Sequence, residues 1–378
     1  MRFELLTTDS GARRGRLSTG HGTVETPAFM PCGTQATVKA LEPRDLLAEA
    51  CELVLCNAYH LFLRPGVETI RDLGGLHRFM GWDRGILTDS GGYQVLSLAA
   101  LRRIDEDGVR FHSHLDGSER SLTPESAAEI QQALGVDIAM MLDECPPIQA
   151  DRDYQRASLE RTARWAVRSR AAHTGPGLFG IVQGGTHLDL REQSAALTTA
   201  VGFDGYAVGG LGIGEAPATR LEVLAHTIAC LPSDRPRYLM GVGTPADLLE
   251  GIARGVDMFD CVLPTRNART GTLFTAAGRM NIKAAVFARD ERPVDADCGC
   301  YACRHFSRAY LRHLYVANEI LGLRLNTIHN LHYYFELMRQ ARDAITHGRF
   351  AAWKADALAR LQFDPSTSQP RQETDRDD

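Results

Sequence analysis

Eight short apolar segments recur along the first two-thirds of the chain, and each ends in a small, polar or glycine-rich turn. Stretches with helical periodicity lie between most of them, and the stretch at 245–254 has Thr244 as its predicted N-cap, ahead of Pro245. The apolar segments are residues 28–30, 53–55, 86–88, 138–142, 178–182, 206–208, 238–240 and 256–259. Other examples of the helical stretches are residues 126–134 and 157–171.

A strand followed by a helix, repeated about eight times, is typical of the (β/α)8 TIM barrel, an α/β fold. A doubly wound sheet is the rival fold. It does not explain why polar residues follow so many different strands. The barrel is therefore the predicted architecture.

Polar or glycine residues follow most of the predicted strands. The C-terminal ends of barrel strands meet at one mouth, where active sites lie, so these positions are expected to converge. A single Asp after a strand is more often a helix cap or turn residue, but six convergent positions are harder to explain that way. The positions are Asn57, Asp89, Asp143, Gln183, Gly209-Gly210 and Asp260.

Three cysteines, Cys298, Cys300 and Cys303, fall within six residues. With a later histidine, thiols at this spacing can form a closed tetrahedral Cys3His site for a structural Zn²⁺. A disulfide is a weaker interpretation because the other cysteines are scattered without framework spacing. Spacing leaves the histidine open, and the nearby candidates are His305, His313, His329 and His332.

The pattern changes after Thr270. Residues 271–283 predict a β-hairpin with its turn near Ala276-Ala277-Gly278, and long helices are predicted over 304–322 and 327–345. We therefore divide the chain into three parts. They are a barrel core (1–270), a zinc-binding subdomain with closing helices (271–351), and a helix end with a disordered tail (352–378).

Composition limits the class of protein. The 378 residues carry a net charge of −5 and are 44% hydrophobic, which is ordinary for a soluble globular protein. No apolar run approaches the roughly 20 residues of a membrane span. The N-terminus lacks the apolar region of a secretory signal. With the unpaired cysteines, this predicts a cytoplasmic protein.

Because the whole chain is acidic, a nucleic-acid site must be a local basic patch. Residues 254–312 hold ten Lys/Arg against six Asp/Glu and are the candidate strip. A solvated face of mixed charge is the alternative interpretation.

Two motifs place a strand-end carboxylate beside ligand-binding features. In Asp89-Ser90-Gly91-Gly92-Tyr93-Gln94 the glycines allow close backbone approach, and the tyrosine offers a face for stacking. Asp260 is followed by Arg266 and Arg269, which suggests an anionic substrate beside a nucleophile or base. These residues alone indicate a zinc-bearing barrel with glycosidase or amidohydrolase chemistry. A metal hydrolase would want several histidines at strand ends, where this chain has few.

Five motifs closely resemble those of the queuine tRNA-ribosyltransferases, also called tRNA-guanine transglycosylases. The resemblance runs in order from about Phe3 to about Ala351. It implies that His329 is the fourth zinc ligand. The motifs are TPAFMP at 26–31, DSGGYQ at 89–94, GGL at 209–211, FDCVLPTR at 259–266, and the cysteine cluster with His329.

The resemblance implies base exchange on tRNA. The wobble guanine of tRNAs with a GUN anticodon (Asp, Asn, His and Tyr) would be replaced by 7-aminomethyl-7-deazaguanine (preQ1) in queuosine biosynthesis. By the same resemblance, Asp260 is the nucleophile that forms a covalent ribosyl-enzyme, and Asp89 is the general acid/base. Two carboxylates with these roles follow the logic of retaining glycosidases. One structural Zn²⁺ per subunit and a homodimer are also implied.

The family's binding residues carry over by motif. Asp143, Gln183 and the Gly210 amide match the groups that read the guanine edge. Tyr93 and Met240 match the pair that sandwiches the base, and the Leu211 carbonyl matches a contact to its 7-substituent. The full base-binding set is Ser90, Gly91, Gly92, Tyr93, Asp143, Cys145, Gln183, Gly210, Leu211 and Met240. The implied anticodon-binding set is Thr265, Arg266, Asn267, Ala268 and Arg269.

Cys145 and Ile213 match the bacterial pattern, whose members take preQ1. Eukaryotic members take the bulkier queuine and have a smaller residue at position 213, so Ile213 is predicted to block queuine. A queuine-specific enzyme and a non-catalytic tRNA-binding partner subunit are the alternatives. Intact Asp89 and Asp260 argue against the second. Cys32 stands where valine is expected, and the sequence gives this change no function.

Overall fold

A computed structural model describes residues 1–94 and 102–361 of the chain. The strands are β1 (Arg2–Asp9), β2 (Ala12–Thr19), β3 (Gly22–Thr26), β4 (Ala28–Pro31), β5 (Leu53–Asn57), β6 (Gly85–Asp89), β7 (Arg102–Ile104), β8 (Val109–His112), β9 (Glu119–Leu122), β10 (Ile138–Met140), β11 (Leu178–Val182), β12 (Gly205–Val208), β13 (Arg237–Leu239), β14 (Met258–Cys261), β15 (Thr272–Thr275) and β16 (Gly278–Asn281).

The α-helices of the described residues are α1 (Pro43–Ala48), α2 (Ala58–Leu63), α3 (Val67–Asp72), α4 (Leu76–Met80), α5 (Pro124–Leu134), α6 (Arg152–Ala172), α7 (Leu188–Val201), α8 (Pro217–Ala229), α9 (Pro245–Ala253), α10 (Leu263–Arg269), α11 (Tyr301–His305), α12 (Arg308–Val316), α13 (Ile320–Thr346) and α14 (Phe350–Leu361). In the same described ranges, one 3-10 turn covers Ala285–Phe287.

Eight parallel strands form one sheet in the order β4-β14-β13-β12-β11-β10-β6-β5. The two outer strands meet through a parallel bridge between Cys32 and Leu55, and the Gly33 amide donates to the Leu55 carbonyl at 2.6 Å. The sheet thus closes on itself, with helices around it. This confirms the predicted (β/α)8 barrel.

All eight predicted strands are present, and their ends differ from the predicted ends by at most two residues. The last strand begins at Met258 instead of 256. The residue before it, Asp257, uses its side-chain carboxylate to accept a hydrogen bond from the Arg237 backbone amide at 2.8 Å. The predicted helices at 126–134, 157–171 and 245–254 are α5, α6 and α9. The Thr244 side chain caps α9 by accepting the Asp247 amide at 3.2 Å, as predicted.

Side chains of the barrel strands are buried in the main apolar core. Phe179, Val208 and Phe259, on three different strands, have no exposed surface. Burying one side chain of this kind contributes roughly 1.5–3 kcal/mol. A packed interior holds the strand ends in fixed positions, and the strand ends carry the polar residues of the mouth.

An antiparallel sheet of β1, β2 and β3 is attached at the opposite end of the barrel. Arg13 on β2 donates to Asp257 at 3.1 Å and to the carbonyls of Ser233 and Arg235 at 2.9 and 3.0 Å. The sequence analysis did not predict this sheet, because most side chains of β1 are exposed and give no apolar segment. It also missed the small sheet of β7, β8 and β9.

The predicted hairpin after Thr270 is formed by β15 and β16. The predicted helix over 304–322 is wrong, because three helices cover this range. Ser307 starts a new helix by capping the Tyr310 amide at 3.2 Å, and Asn318 adopts a left-handed φ of 57°, which ends it. The cap at Ser307 and the left-handed backbone at Asn318 thus divide the range 304–322, although its apolar residues are spaced as in one continuous helix.

A second, smaller apolar core lies under the hairpin, and it includes Leu273, Met280, Leu311 and Leu325. Helix α13 contributes to both cores, since Leu331 packs in the barrel cluster. The boundaries at 270/271 and 351/352 stay predictions. The predicted disordered tail, from Asp364 onward, lies outside the described residues. Within the described ranges, every helix is too short or too polar to cross a bilayer.

Candidate active site

The predicted polar positions line one cavity of about 430 Å³ at the C-terminal mouth of the barrel. Its walls come from the ends of all eight barrel strands and the loops after them. The structure brings together all ten predicted base-binding residues and both predicted catalytic carboxylates. They are Asp89, Ser90, Gly91, Gly92, Tyr93, Asp143, Cys145, Gln183, Gly210, Leu211, Met240 and Asp260.

Asp89 is the last residue of β6. Its Oδ1 accepts the Ala58 amide at 3.0 Å, and its Oδ2 accepts Gln94 Nε2 at 2.7 Å and the Asn57 side-chain amide. Burial, with a smaller contribution from the charge of Asp260, raises the pKa of Asp89 to about 7. A carboxyl with this pKa can both give and take a proton near neutral pH.

Asp260 lies on β14 and is held more tightly. Its Oδ1 accepts the Tyr238 hydroxyl at 2.6 Å and the Gly241 amide at 2.7 Å, while Cys32 Sγ lies 3.6 Å from Oδ2. Burial raises the pKa of Asp260, and the hydrogen bonds from these three donors oppose that rise. The carboxylate is fixed in orientation and faces the cavity.

The third carboxyl, Asp143, follows β10. Gln183 Nε2 donates to its Oδ2 at 2.6 Å, and burial raises the pKa of Asp143 to about 6. A Cβ on Gly92 would lie 2.6 Å from the Asp143 carbonyl oxygen, so only glycine permits this approach. Gly210 has a left-handed φ of 67°, and a Cβ there would lie 2.5 Å from Gln183 Oε1.

Arg191 on α7 holds the floor of this pocket. It is fully buried, and its guanidinium donates to the carbonyls of Val182, Gly185 and Gly209 at 3.0, 2.9 and 2.8 Å. These bonds fix the ends of β11 and β12, which carry Gln183 and Gly210. Sequence reasoning missed Arg191, because one arginine within a helical stretch carries no signal of burial.

The loop after β12 forms another wall and contains Ile213. Glu215 accepts the Gly212 amide at 2.6 Å and the Ile213 amide at 3.1 Å. Arg220 forms an ion pair with Glu215 at 3.4 Å and a second one with Asp247 on α9 at 2.7 Å. The loop is therefore held by a buried carboxylate that sequence reasoning also missed.

Tyr93 and Met240 stand at the rim of the cavity. Tyr93 is 52% exposed, although it is a large aromatic residue. Met240 follows β13, and its amide donates to the Val208 carbonyl at 3.2 Å. An exposed aromatic ring at the mouth of a polar cavity offers a face on which a planar ligand can stack.

Helix α10 follows Asp260 and carries the predicted anticodon-binding residues. Arg266 is exposed and lines the cavity, and Arg269 is half-buried with Nη1 donating to the Thr265 carbonyl at 2.9 Å. Thr265 and Ala268 are buried, 3% and 0% exposed. Of the five, the side chains of Arg266, Asn267 and Arg269 reach the surface.

Cys298, Cys300, Cys303 and His329 form a cluster that can hold a metal ion. The three sulfurs lie 3.7, 3.6 and 3.3 Å from His329 Nδ1. A tetrahedral Zn²⁺ would place sulfur and nitrogen about 3.6 Å apart, since Zn–S is about 2.3 Å and Zn–N about 2.0–2.1 Å. His329 Nε2 is 2.7 Å from the Phe274 carbonyl, which fixes the ring with Nδ1 toward the sulfurs.

The other candidate histidines lie elsewhere. His332 pairs with Glu49, and the His305 ring packs against Tyr301 with ring centroids 4.6 Å apart. Among the described residues, only one other group of metal-ligating type is compact, namely His21, His77 and Asp137. Its two imidazole rings are stacked with centroids 3.5 Å apart, so one ion cannot lie in the plane of both rings.

A closed parallel barrel with buried carboxylates at its mouth and a thiol-rich cluster beside it defines a barrel enzyme with carboxylate chemistry. A family model described as Queuine tRNA-ribosyltransferase matches residues 8–362. The chain belongs to the queuine tRNA-ribosyltransferase family, and the predicted enzyme class, a tRNA-guanine transglycosylase, is confirmed.

Curated relatives match over nearly their whole length, and each is named "Queuine tRNA-ribosyltransferase". The chain is 58% identical to the protein of Solidesulfovibrio magneticus, covering 94% of this chain and 97% of that protein. It is 56% identical to the protein of Pelotomaculum thermopropionicum, with 94% and 96% covered. It is 53% identical to the protein of Listeria welshimeri, with 96% and 97% covered.

Proposed function

We propose that this enzyme exchanges the wobble guanine of tRNAs with a GUN anticodon for preQ1, through a covalent ribosyl-aspartate. The observation that carries the proposal is the pair of buried carboxylates, Asp89 and Asp260, in one cavity with unlike environments. Asp89 has a pKa of about 7 and suits proton transfer. Asp260 has its Oδ1 fixed by two strong donors and suits attack on carbon.

In the first half of the reaction, Asp260 attacks ribose C1′ as the bond from C1′ to the guanine nitrogen breaks. The electron pair of that bond goes to the leaving base, which takes a proton from Asp89. In the second half, a nitrogen of preQ1 attacks C1′ and releases the carboxylate, while Asp89 takes the proton back. Two displacements retain the configuration at C1′, as in retaining glycosidases.

Base selection falls to Asp143. As an acceptor it would take both the N1–H and the exocyclic amine of a guanine-type edge, which other bases do not offer together. Gln183 Nε2 donates to Asp143 Oδ2 at 2.6 Å and holds this carboxylate in place. Ile213 and Cys145 line the side of the pocket that we assign to the 7-substituent.

The wobble base must leave the anticodon stack to reach this cavity. Tyr93 and Met240 at the rim would compensate for lost stacking. The exposed cations of α10, Arg266 foremost, would hold the anticodon loop. The 7-substituted base and the tRNA thus enter from the same mouth.

We assign Zn²⁺ to the Cys3His cluster as a structural ion. The four side chains fill a tetrahedral set, so no position remains for an activated water. The bound ion would fix the hairpin and α11 to the middle of α13. The chemistry would be left to the carboxylates of the barrel.

A homodimer and a cytoplasmic location complete the proposal. Large apolar side chains are exposed on the helices around the metal cluster, and they include Tyr301, Tyr310, Val316 and Ile320. Such a patch suits an interface between copies. Light scattering should give twice the 41.5 kDa chain mass, and a monomer at assay concentration would contradict the dimer.

The exchange itself is tested by loading unmodified tRNA with labelled guanine and adding unlabelled free bases. The account predicts release of label with preQ1, and little release with queuine at the same concentration. tRNA whose wobble base is not guanine is the matched control and should take up no labelled guanine in the loading step. Release by queuine as fast as by preQ1 would favour the queuine-specific alternative.

A further inference from the structure

Asp260 carries its hydrogen bonds unevenly. Oδ1 accepts two strong bonds, from Tyr238 and Gly241. Oδ2 accepts a longer hydrogen bond from the Cys32 thiol, whose Sγ lies 3.6 Å away. The two oxygens of the carboxylate are therefore chemically unlike.

Closure of the barrel places Cys32 at this point. Asp260 pairs with Met30 across β14 and β4, and Cys32 lies two residues past Met30. Residues two apart on an extended chain point to the same side of the sheet. The Cys32 backbone also forms the bridge to Leu55 that closes the barrel, so Sγ is held in place.

The thiol is in the state that donates. Burial, together with the negative charge of Asp260, raises the pKa of Cys32 far above its ordinary value, so the proton stays on sulfur. A protonated thiol is a weak hydrogen-bond donor. The charged and titratable groups that face Asp260 are Tyr238 from β13, Cys32 after β4, Asp89 from β6 and Cys261 from β14. Those that line the rest of its cavity are His60 from α2, Tyr93, Asp143, Cys145 and Arg266 from α10.

We propose that Cys32 is a positioning residue that presents Oδ2 of Asp260 as the attacking oxygen. The inference rests on the proposed function. Oδ1 stays with Tyr238 and Gly241 and becomes the ester carbonyl. An Oδ2 lone pair forms the C1′–O bond, the C1′–N electron pair leaves with the base, and the base takes the proton of Asp89. The thiol keeps its proton throughout.

This arrangement has a measurable consequence. The thiol stabilises the charge on free Oδ2, and it stabilises the ester oxygen less, because that oxygen has lost its charge. Removing the donor should therefore raise the pKa of Asp260 and favour the ester over the free carboxylate. Attack requires ionised Asp260, so a higher pKa moves the acid limb of the pH profile upward.

Cys32→Val and Cys32→Ala both remove the donor, and valine keeps most of the volume. In both variants the acid limb of kcat/KM should move up by about 0.5 pH unit, and the steady-state fraction of covalent enzyme should rise. Cys51→Val is the matched control. Its thiol is equally buried, but it donates to the Leu53 carbonyl at 3.5 Å, away from the cavity.

An unshifted acid limb of the kcat/KM profile in both Cys32 variants would overturn the inference. A shift in the alanine variant alone would also overturn it, because the cause would then be the lost side-chain volume and not the lost hydrogen-bond donor. The frequency of the Cys32 S–H stretching band in a vibrational spectrum is an independent measurement. It does not require any Cys32 variant to be stable. In the Asp260→Asn enzyme the band should move toward the frequency of a more weakly bonded thiol, and an unmoved band would count against the inference. Absence of any adduct in the unaltered enzyme would instead defeat the proposed function.

Discussion

At the residue scale, three buried carboxyl groups in one cavity differ by what donates to them. Asp89 is held by two amide side chains and one backbone amide, and Asp143 accepts a hydrogen bond from Gln183. Burial raises the pKa of Asp89 to about 7 and that of Asp143 to about 6. At neutral pH, Asp143 is thus mostly an acceptor, while Asp89 is available in both protonation states.

Ile213 carries the sharpest prediction about the substrate. Its branched side chain lines the cavity, and its amide is fixed by Glu215, so the loop cannot yield easily to a bulky 7-substituent. Ile213→Gly should gain use of queuine. It should lose some efficiency with preQ1, because a cavity is left beside the small base.

Competition between the two free bases for labelled guanine in tRNA measures this change. Ile213→Val is the matched control, since it stays β-branched and should still reject queuine. Efficient queuine use by the unaltered enzyme would show that Ile213 is not the barrier.

The sequence pointed to the carboxylates at the mouth because strand-end polar residues stand out from apolar segments. It could not identify their donors. Tyr238 and Cys32 lie 22 and 228 residues from Asp260; Tyr238 sits in an ordinary apolar segment, and Cys32 lies two residues past another. Only the closed barrel brings them together. The sequence could not identify Arg191 either, because the three backbone carbonyls that its guanidinium binds come together around it only in the folded barrel.

At the element scale, helix α13 connects the metal cluster to the mouth of the barrel. His329 lies in the cluster, and its neighbour Asn330 donates to the carbonyls of Pro264 and Thr272 at 3.0 Å each. Pro264 begins helix α10, which carries Arg266. A metal ion bound in the cluster would therefore support, through Asn330, the helix that we assign to the anticodon.

Loss of the metal should be a folding defect. Cys300→Ser and His329→Ala should reduce bound zinc from one per chain to near zero and lower the thermal midpoint markedly, because the second core is small. Cys230→Ser, which changes a cysteine outside the cluster, should keep its zinc. Metal analysis and thermal unfolding measure both effects. Purified, active enzyme that contains no zinc would refute the assignment.

Helix α10 carries the prediction about tRNA. Arg266→Ala and Arg269→Ala should weaken tRNA binding and reduce its salt dependence, by roughly one phosphate contact each. Binding titrations at several salt concentrations give the slope. Arg235→Ala changes a cation before β13, at the other end of the barrel, and is the control. Unchanged binding in both α10 variants would place the tRNA elsewhere.

At the scale of the whole molecule, the barrel was predictable because its signal repeats. Eight apolar segments with helical stretches between them leave few alternative folds, and one misjudged boundary changes little. The sheet of β1, β2 and β3 was not predictable, because β1 is mostly exposed and β2 is held by a contact between residues far apart in the chain, Arg13 to Asp257. The metal cluster was predictable from cysteine spacing, whereas its histidine required the fold or the family resemblance.

The central claim is that Asp260 bonds covalently to the ribose of tRNA. Denaturing gel electrophoresis of enzyme incubated with tRNA and a base analogue tests it most directly. The unaltered enzyme should give a tRNA–protein adduct that survives denaturation. Asp260→Asn should give none while it still binds tRNA, since the amide keeps the shape but loses the nucleophilic charge. An adduct formed by Asp260→Asn would contradict the account.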